Sequence, residues 1–218
     1  MIEGVLDPHN RARLAKIMLL IWLAAEIVSA INGLYLISVL GEFGPPKTEP
    51  DYDLLDRVDG VISMVVLVTF ILSAVMVSRW IMRVNDNAQK WSNGVTITPG
   101  WNVAWFFVPL ASLYKPFQGI RETWQASIDP AYPESVDVPI IMRLWWAFYL
   151  AMSAAGNVSF RLSLGADTAE QFIFARWFEI ASLLIDLPTT ILLIMLIRQL
   201  TAIQQSVILT HDRETAEA

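Results

Sequence analysis

The chain contains no cysteine. Disulfides, thiolate metal sites, iron–sulfur clusters and cysteine nucleophiles are therefore all excluded. Histidine is almost as scarce: His9 and His211 are the only two, and both lie in polar tails. No imidazole is placed to hold haem or zinc inside an apolar segment, so neither a cofactor nor a metal is expected. Charge is thin as well, at 17% of residues, and the basic residues stand singly at segment ends instead of forming a stripe. With a net charge of -6, a nucleic-acid partner has no electrostatic support. Enzyme signatures are missing too: there is no G-x-S-x-G elbow, H-E-x-x-H, Walker A or G-x-G-x-x-G. No internal repeat or low-complexity segment is present.

What the chain has in quantity is apolar surface. At 55% hydrophobic residues it reads as an all-α, polytopic membrane protein with a single membrane domain. Four spanning helices are expected, over about 17–40, 61–82, 140–164 and 172–197. The first has a small-residue cleavage pattern at Val28-Ser29-Ala30. It continues ten residues beyond that and carries Glu26, so it reads as an uncleaved helix and not a signal peptide. Between Gly41 and Gly60 lies a loop rich in acid and proline. Its Asp51, Asp53 and Asp56 come near a calcium loop but lack the sixth-position glycine and the closing glutamate. Asp51 is instead expected to cap an amphipathic lead-in (Leu54, Leu55, Val58, Ile62) to the second span. Arg198 to Ala218 reads as a polar, frayed tail.

The stretch from Thr98 to Trp124 decides the topology. Its apolar core, Gly100 to Tyr114, is shorter than the about 20 residues a span needs and contains Pro109. If it does not cross, Lys47, Arg57, Arg161 and Arg176 lie outside and the other eleven of the 15 basic residues lie in the cytoplasm. If it crosses, the split falls to eight against seven. The positive-inside rule selects the first arrangement, with both termini in the cytoplasm. Residues 98–127 then form a cytoplasmic-side hairpin, either interfacial or re-entrant. The rings of Trp101, Trp105, Tyr114 and Trp124 suit the headgroup level, and Pro109 and Pro116 break the hairpin into short pieces. Pro116 suits a first helical position, so Phe117 to Ser127 is expected to be a short amphipathic helix with Arg121 exposed.

The strings Thr98-Pro99-Gly100-Trp101, Trp105-Phe-Phe-Val-Pro109, Leu113-Tyr114-Lys-Pro116-Phe and Arg121-Glu122-Thr-Trp124 resemble the signature of a bacterial membrane-protein family. It is known as domain of unknown function 4328. The run Ile140 to Trp146 also resembles that family's third-helix start. Membership implies a multi-helix bacterial membrane protein, and implies no activity; the inner (cytoplasmic) membrane is the expected location.

Four polar residues within the expected spans are out of place: Glu26, Asn157, Glu179 and Asp186. An ionisable group near the centre of a spanning helix costs at least about 2.5 to 3.5 kcal/mol, so such residues are candidates for function. Glu26 shares a face with Ser29, Ala30 and Gly33, and Asp186 shares one with Glu179, Ser182, Thr189 and Thr190. The third span adds Ser153, Asn157 and Arg161 at intervals of four, so three polar faces are expected to meet inside one bundle. Pro188 should free the Leu184 carbonyl beside Asp186. Arg161 and Arg176 are expected to snorkel, or to pair with Glu170 and Glu179.

Three functions are compatible with this pattern. The first is an accessory or scaffold subunit acting on the bilayer, a membrane-protein partner or a second copy of itself through the hairpin. The second is a small proton- or cation-coupled transporter or channel using Glu26 and Asp186. The third, a lipid-modifying enzyme, would require a head-group pocket lined by Arg121, Glu122 and Arg143.

Overall fold

The computed structural model describes residues 4–41 and 51–217, with side chains through residue 210. All regular structure among these residues is helical. Six α-helices follow in order: α1 His9–Val39, α2 Tyr52–Trp91, α3 Pro99–Ala104, α4 Lys115–Ile128, α5 Ile140–Leu164 and α6 Ala169–Glu217. Three-residue 3₁₀ turns occupy Trp105–Phe107, Ala111–Leu113 and Pro133–Ser135.

Among the described residues three helices, α1, α2 and α6, are long and apolar enough to cross a membrane, where four were expected. The exception is α5. Its 25 residues make about 37 Å of helix at 1.5 Å per residue, so length is not the shortfall. Composition is: Arg143, Ser153, Gly156, Asn157, Ser159 and Arg161 dilute its apolar side chains.

The other boundaries differ in two instructive places. The Asp51 carboxylate accepts the Leu54 N–H at 3.0 Å, the N-cap read from the sequence. The lead-in it starts runs into α2 without a break, so the expected loop is helical from Tyr52, while its 42–50 part lies outside the described residues. At the other end, α6 continues through Glu217 where a frayed tail was expected. An inward stripe carries it beyond Arg198 as far as Gln204: Leu196, Ile197, Leu200, Thr201 and Gln204 are all buried, at helical spacing. Pro188 lies inside α6 without ending it, and the Thr189 hydroxyl donates to the Ile185 carbonyl at 2.6 Å.

The chain divides into two compact units. The first comprises residues 1–18, 73–146 and 192–218; the second comprises residues 19–72 and 147–191. The first unit contains α3, α4 and the adjoining ends of the long helices, and most of the fully buried side chains, among them Trp80, Met142, Leu196, Ile197 and Leu200. Its N-terminal segment is tied down by the Lys90 ammonium, which donates to the Gly4 carbonyl at 2.6 Å and pairs with Asp86 at 2.9 Å. The second unit is built from helix spans with widely exposed apolar faces, including Ile31, Val61, Met64, Leu67 and Phe160.

Candidate functional site

The hairpin stretch forms a folded platform in the first unit. Pro99 opens α3, where its missing N–H costs nothing and its fixed φ suits the first turn. Trp101 and Trp105 lie one helical turn apart on α3 and the turn after it, with ring centroids at 4.7 Å. The helix cannot extend through Pro109, because the residue before a proline is driven to extended backbone; Val108 has φ -94 and ψ 116. Leu110 then takes φ 63 and ψ -46, and the Ala111 N–H donates to the Pro109 carbonyl at 2.7 Å, closing a γ-turn around it. A leucine held there carries strain of about 1–3 kcal/mol. Pro116 lies in the first turn of α4.

On α4 the buried positions Pro116, Gly119, Ile120, Thr123, Trp124 and Ser127 recur at three and four, so one face of the helix is turned inward. Glu122 is buried beside this stripe. Its carboxylate accepts the Thr96 N–H at 2.8 Å, the Thr96 hydroxyl at 2.9 Å, the Ile97 N–H at 3.2 Å and the Gln118 amide at 2.7 Å. One acid thus holds the segment that leads into α3 against the helix that follows the hairpin. Both oxygens are occupied, which removes the acid from the Arg121, Glu122 and Arg143 pocket that lipid chemistry would need; Arg143 is exposed. Arg121, expected to be exposed, is half-buried, and its Nε is buried without a partner.

Beneath α4 lies a network of buried amides and hydroxyls. Asn85 donates to the Thr123 hydroxyl at 3.0 Å, which donates in turn to the Gly119 carbonyl at 2.8 Å. Gln204 is fully buried and makes three hydrogen bonds. Its amide nitrogen donates to the Val84 carbonyl at 2.8 Å and the Ser127 hydroxyl at 2.9 Å, and its oxygen accepts from Asn87 at 3.0 Å. Asn87 also donates to the Leu6 carbonyl at 2.9 Å, and the Trp80 indole donates to the Thr201 hydroxyl at 3.1 Å. Asn102 from α3 completes the layer. It is fully buried, neither polar atom of its amide has a partner, and it packs on Gly119 so closely that a Cβ there would lie 2.3 Å from its Oδ1. Gly119 is thus required by close approach, whereas Gly100 faces open space.

The outer side of the platform is the opposite in character. Trp101, Phe107, Leu110, Leu113 and Tyr114 are exposed, with Phe107 at 80% and Leu110 at 83%. At its base the Trp146 indole donates to the Leu113 carbonyl at 3.2 Å and lies 5.9 Å from the Phe117 ring.

The second unit has its own polar cluster. The Arg176 guanidinium pairs with Asp59 and with Glu179, the latter at 2.8 Å, and stacks over the Phe172 ring at 4.9 Å. With its side chain 12% exposed, Arg176 does not snorkel. Asp59 also accepts from the Asn32 amide at 2.9 Å, and Glu179 from the Ser29 hydroxyl at 2.7 Å. Glu26 accepts the Trp22 indole at 3.1 Å, and the carboxyl groups of Asp186 and Glu179 lie near it. The structure therefore gathers Glu26, Glu179 and Asp186 but not Asn157, which is exposed on α5 and donates to the Ser153 carbonyl one turn back at 2.9 Å. The expected third polar face does not join the cluster. No group of three metal-ligating side chains occurs among the described residues.

Sequence reasoning missed Asn32 and Asp59, and in the first unit Asn85, Asn87, Asn102 and Gln204. The latter lie at segment ends, where amides are ordinarily solvated. The apolar stripe through Leu200 was the signal that Gln204 faces inward.

Neither the curated proteins nor the solved structures contain a match to this chain. The family described as "Domain of unknown function (DUF4328)" matches residues 48–202, which is more than two thirds of the chain and takes in α2, the whole platform, α5 and the first two thirds of α6. The chain belongs to the DUF4328 family.

Proposed function

We propose that this protein is a multi-pass protein of the bacterial inner membrane that serves as an accessory or scaffold subunit. Residues 98–127 would form a rigid cytoplasmic-side platform for a membrane-protein partner, a second copy of the chain or a lipid surface. The observation that carries this reading is the two-sidedness of the platform. Its inner face is fastened by Glu122, Thr123, Ser127 and Gln204, while its outer face holds large apolar side chains in water-accessible positions. Exposed apolar patches of that kind mark interaction surfaces.

The membrane setting is supported by α2, uncharged from Gly60 to Ser78, about 28 Å of helix against a hydrocarbon core of about 30 Å. In this reading α5 is a fourth crossing despite its lower apolarity. Like α1 it begins in the first unit and ends in the second, while α2 and α6 run the other way. An even number of passages returns the C terminus to the side of the N terminus. Mild-detergent extraction from native membranes, followed by native mass spectrometry, tests the scaffold role. A stoichiometric protein partner or homo-oligomer is expected. A monomer that carries no partner and catalyses ion flux in liposomes would overturn it.

One observation favours a second reading, a proton- or cation-coupled pathway: Ser29, one turn after Glu26, donates to Glu179 at 2.7 Å, so the acid-bearing faces of α1 and α6 meet within apolar helices. Glu26→Gln with Asp186→Asn separates the two. Loss of flux in a folded protein supports transport, and loss of assembly supports a structural role.

A further inference from the structure

Among the described residues, Leu110 is the one non-glycine residue with a positive φ. Glycine would occupy that backbone without strain. Leucine there is also among the most exposed large apolar side chains, together with Phe107 three residues earlier. Strain and exposure at the same residue call for a reason why the side chain is present.

The backbone around it supplies one. Across the tip, the N–H groups of Val108, Ala111, Ser112, Leu113 and Tyr114 all donate to carbonyls of residues 105–111, at 2.7–3.4 Å. Pro109 has no N–H to satisfy, and only that of Leu110 is left over. A loop in water has no need of such closure, since solvent satisfies its donors. Hydrocarbon imposes it, because each unsatisfied group there costs several kcal/mol. The γ-turn at Leu110 is part of the closure, since it satisfies the Ala111 N–H. Charge is also absent: no Asp, Glu, Lys or Arg occurs between Lys90 and Lys115. The rings of Trp101, Trp105 and Tyr114 flank the tip, and Lys115 follows directly, an order that matches acyl chain, interface and phosphate.

We propose that residues 107–113 are a wedge that inserts into the acyl-chain layer of the leaflet on which the platform lies, with Phe107 and Leu110 as its two prongs. This rests on the platform reading and names lipid acyl chains as what its apex contacts. A protein groove is the less suitable occupant, because the tip offers a partner no charge and almost no free backbone donor. The γ-turn directs Leu110 outward at the cost of local strain.

The absence of cysteine makes the test direct. Single-cysteine variants Leu110→Cys and Phe107→Cys carry an environment-sensitive fluorophore in vesicles of phosphatidylethanolamine and phosphatidylglycerol. Leu67→Cys on the exposed apolar face of α2 gives the hydrocarbon reference, and Asn93→Cys in the polar turn gives the water reference. Labels at 107 and 110 should be quenched by brominated acyl chains as strongly as at 67, and by aqueous iodide several-fold less than at 93. Iodide quenching equal to that at 93, with no response to bromolipid, overturns the wedge. Either prong alone suffices if the other variant does not fold. Leu110→Gly is expected to unfold in detergent at the same or a higher temperature, yet to weaken bromolipid quenching at 107; unchanged quenching would argue against Leu110 as a prong. Partner retention measured on the same preparations keeps the two ideas apart. A water-exposed tip with a retained partner refutes the wedge and leaves the platform standing. A buried tip on a protein without any partner upholds the wedge and removes the protein-scaffold role.

Discussion

Replacing Gln204 by leucine removes three hydrogen bonds from the interior of the first unit while keeping the side-chain volume nearly constant. The partners left behind each retain something. Asn87 still donates to the Leu6 carbonyl at 2.9 Å, the Ser127 hydroxyl still donates to the Thr123 carbonyl at 2.7 Å, and the Val84 carbonyl remains inside α2. The cost should therefore be near the net worth of three bonds and below the full desolvation of three orphaned groups, about 2–4 kcal/mol. For a chain of this size that corresponds to a midpoint lowered by about 5–10 °C in thermal unfolding. Gln199→Leu, on the exposed side of the same helix, should stay within about 0.5 kcal/mol of wild type. A cycle with Asn87→Leu adds a second check, because the two residues share a bond of 3.0 Å and their effects should fall short of additivity by about 0.5–3 kcal/mol. The reasoning fails if Gln204→Leu is as stable as wild type, or if the two substitutions simply add.

Three further outcomes are expected. Gly119→Ala drives a methyl into the Asn102 amide and should cost about 1–3 kcal/mol, with much of the loss recovered in the double variant with Asn102→Ala, as read by thermal unfolding. Glu122→Gln places an amide NH₂ where the carboxylate meets Thr96 and Ile97; hydrogen exchange should show those two amides losing protection while the core of α2 keeps its own. Arg176→Met strands Asp59 and Glu179 and should cost about 3–5 kcal/mol, more than Asp59→Asn, which leaves Arg176 its Glu179 partner. Equal midpoints for those two variants would show that the guanidinium is not the centre of its cluster.

Much of the architecture was legible because it is written in short-range chemistry. Asp51 declared the start of α2, and Pro109 and Pro116 marked where the hairpin must break and restart. The aromatic spacing of Trp101 to Trp124 identified both the family and the region that forms the platform. What stayed hidden depends on contacts distant in sequence. Of the two fates read for Arg176, pairing with Glu179 three residues on holds and snorkelling does not, because its other partner, Asp59, is 117 residues away. Asn85, Asn87 and Gln204 went unnoticed because a polar residue at the end of a span looks alike whether it meets water or another amide. The reading of α5 as an equal fourth span counted length and gave too little weight to Asn157, Arg143 and Arg161. Glu26, Glu179 and Asp186 were found as a group, whereas Asn157 was placed with them by periodicity alone and turned out to face away.

Thr201 and Gln204 are separated by three positions, so they leave α6 on one side, and each is claimed by a different donor or acceptor on α2. A helix with apolar surface on all sides has no preferred azimuth in lipid, since turning about its axis exposes nothing new. Sliding α6 by one residue would rotate it by about 100° and advance it by about 1.5 Å, breaking both attachments together. Two polar side chains thus act as a key in a slot. They set the rotational phase of α6 against the end of α2, a degree of freedom that apolar packing alone leaves loose.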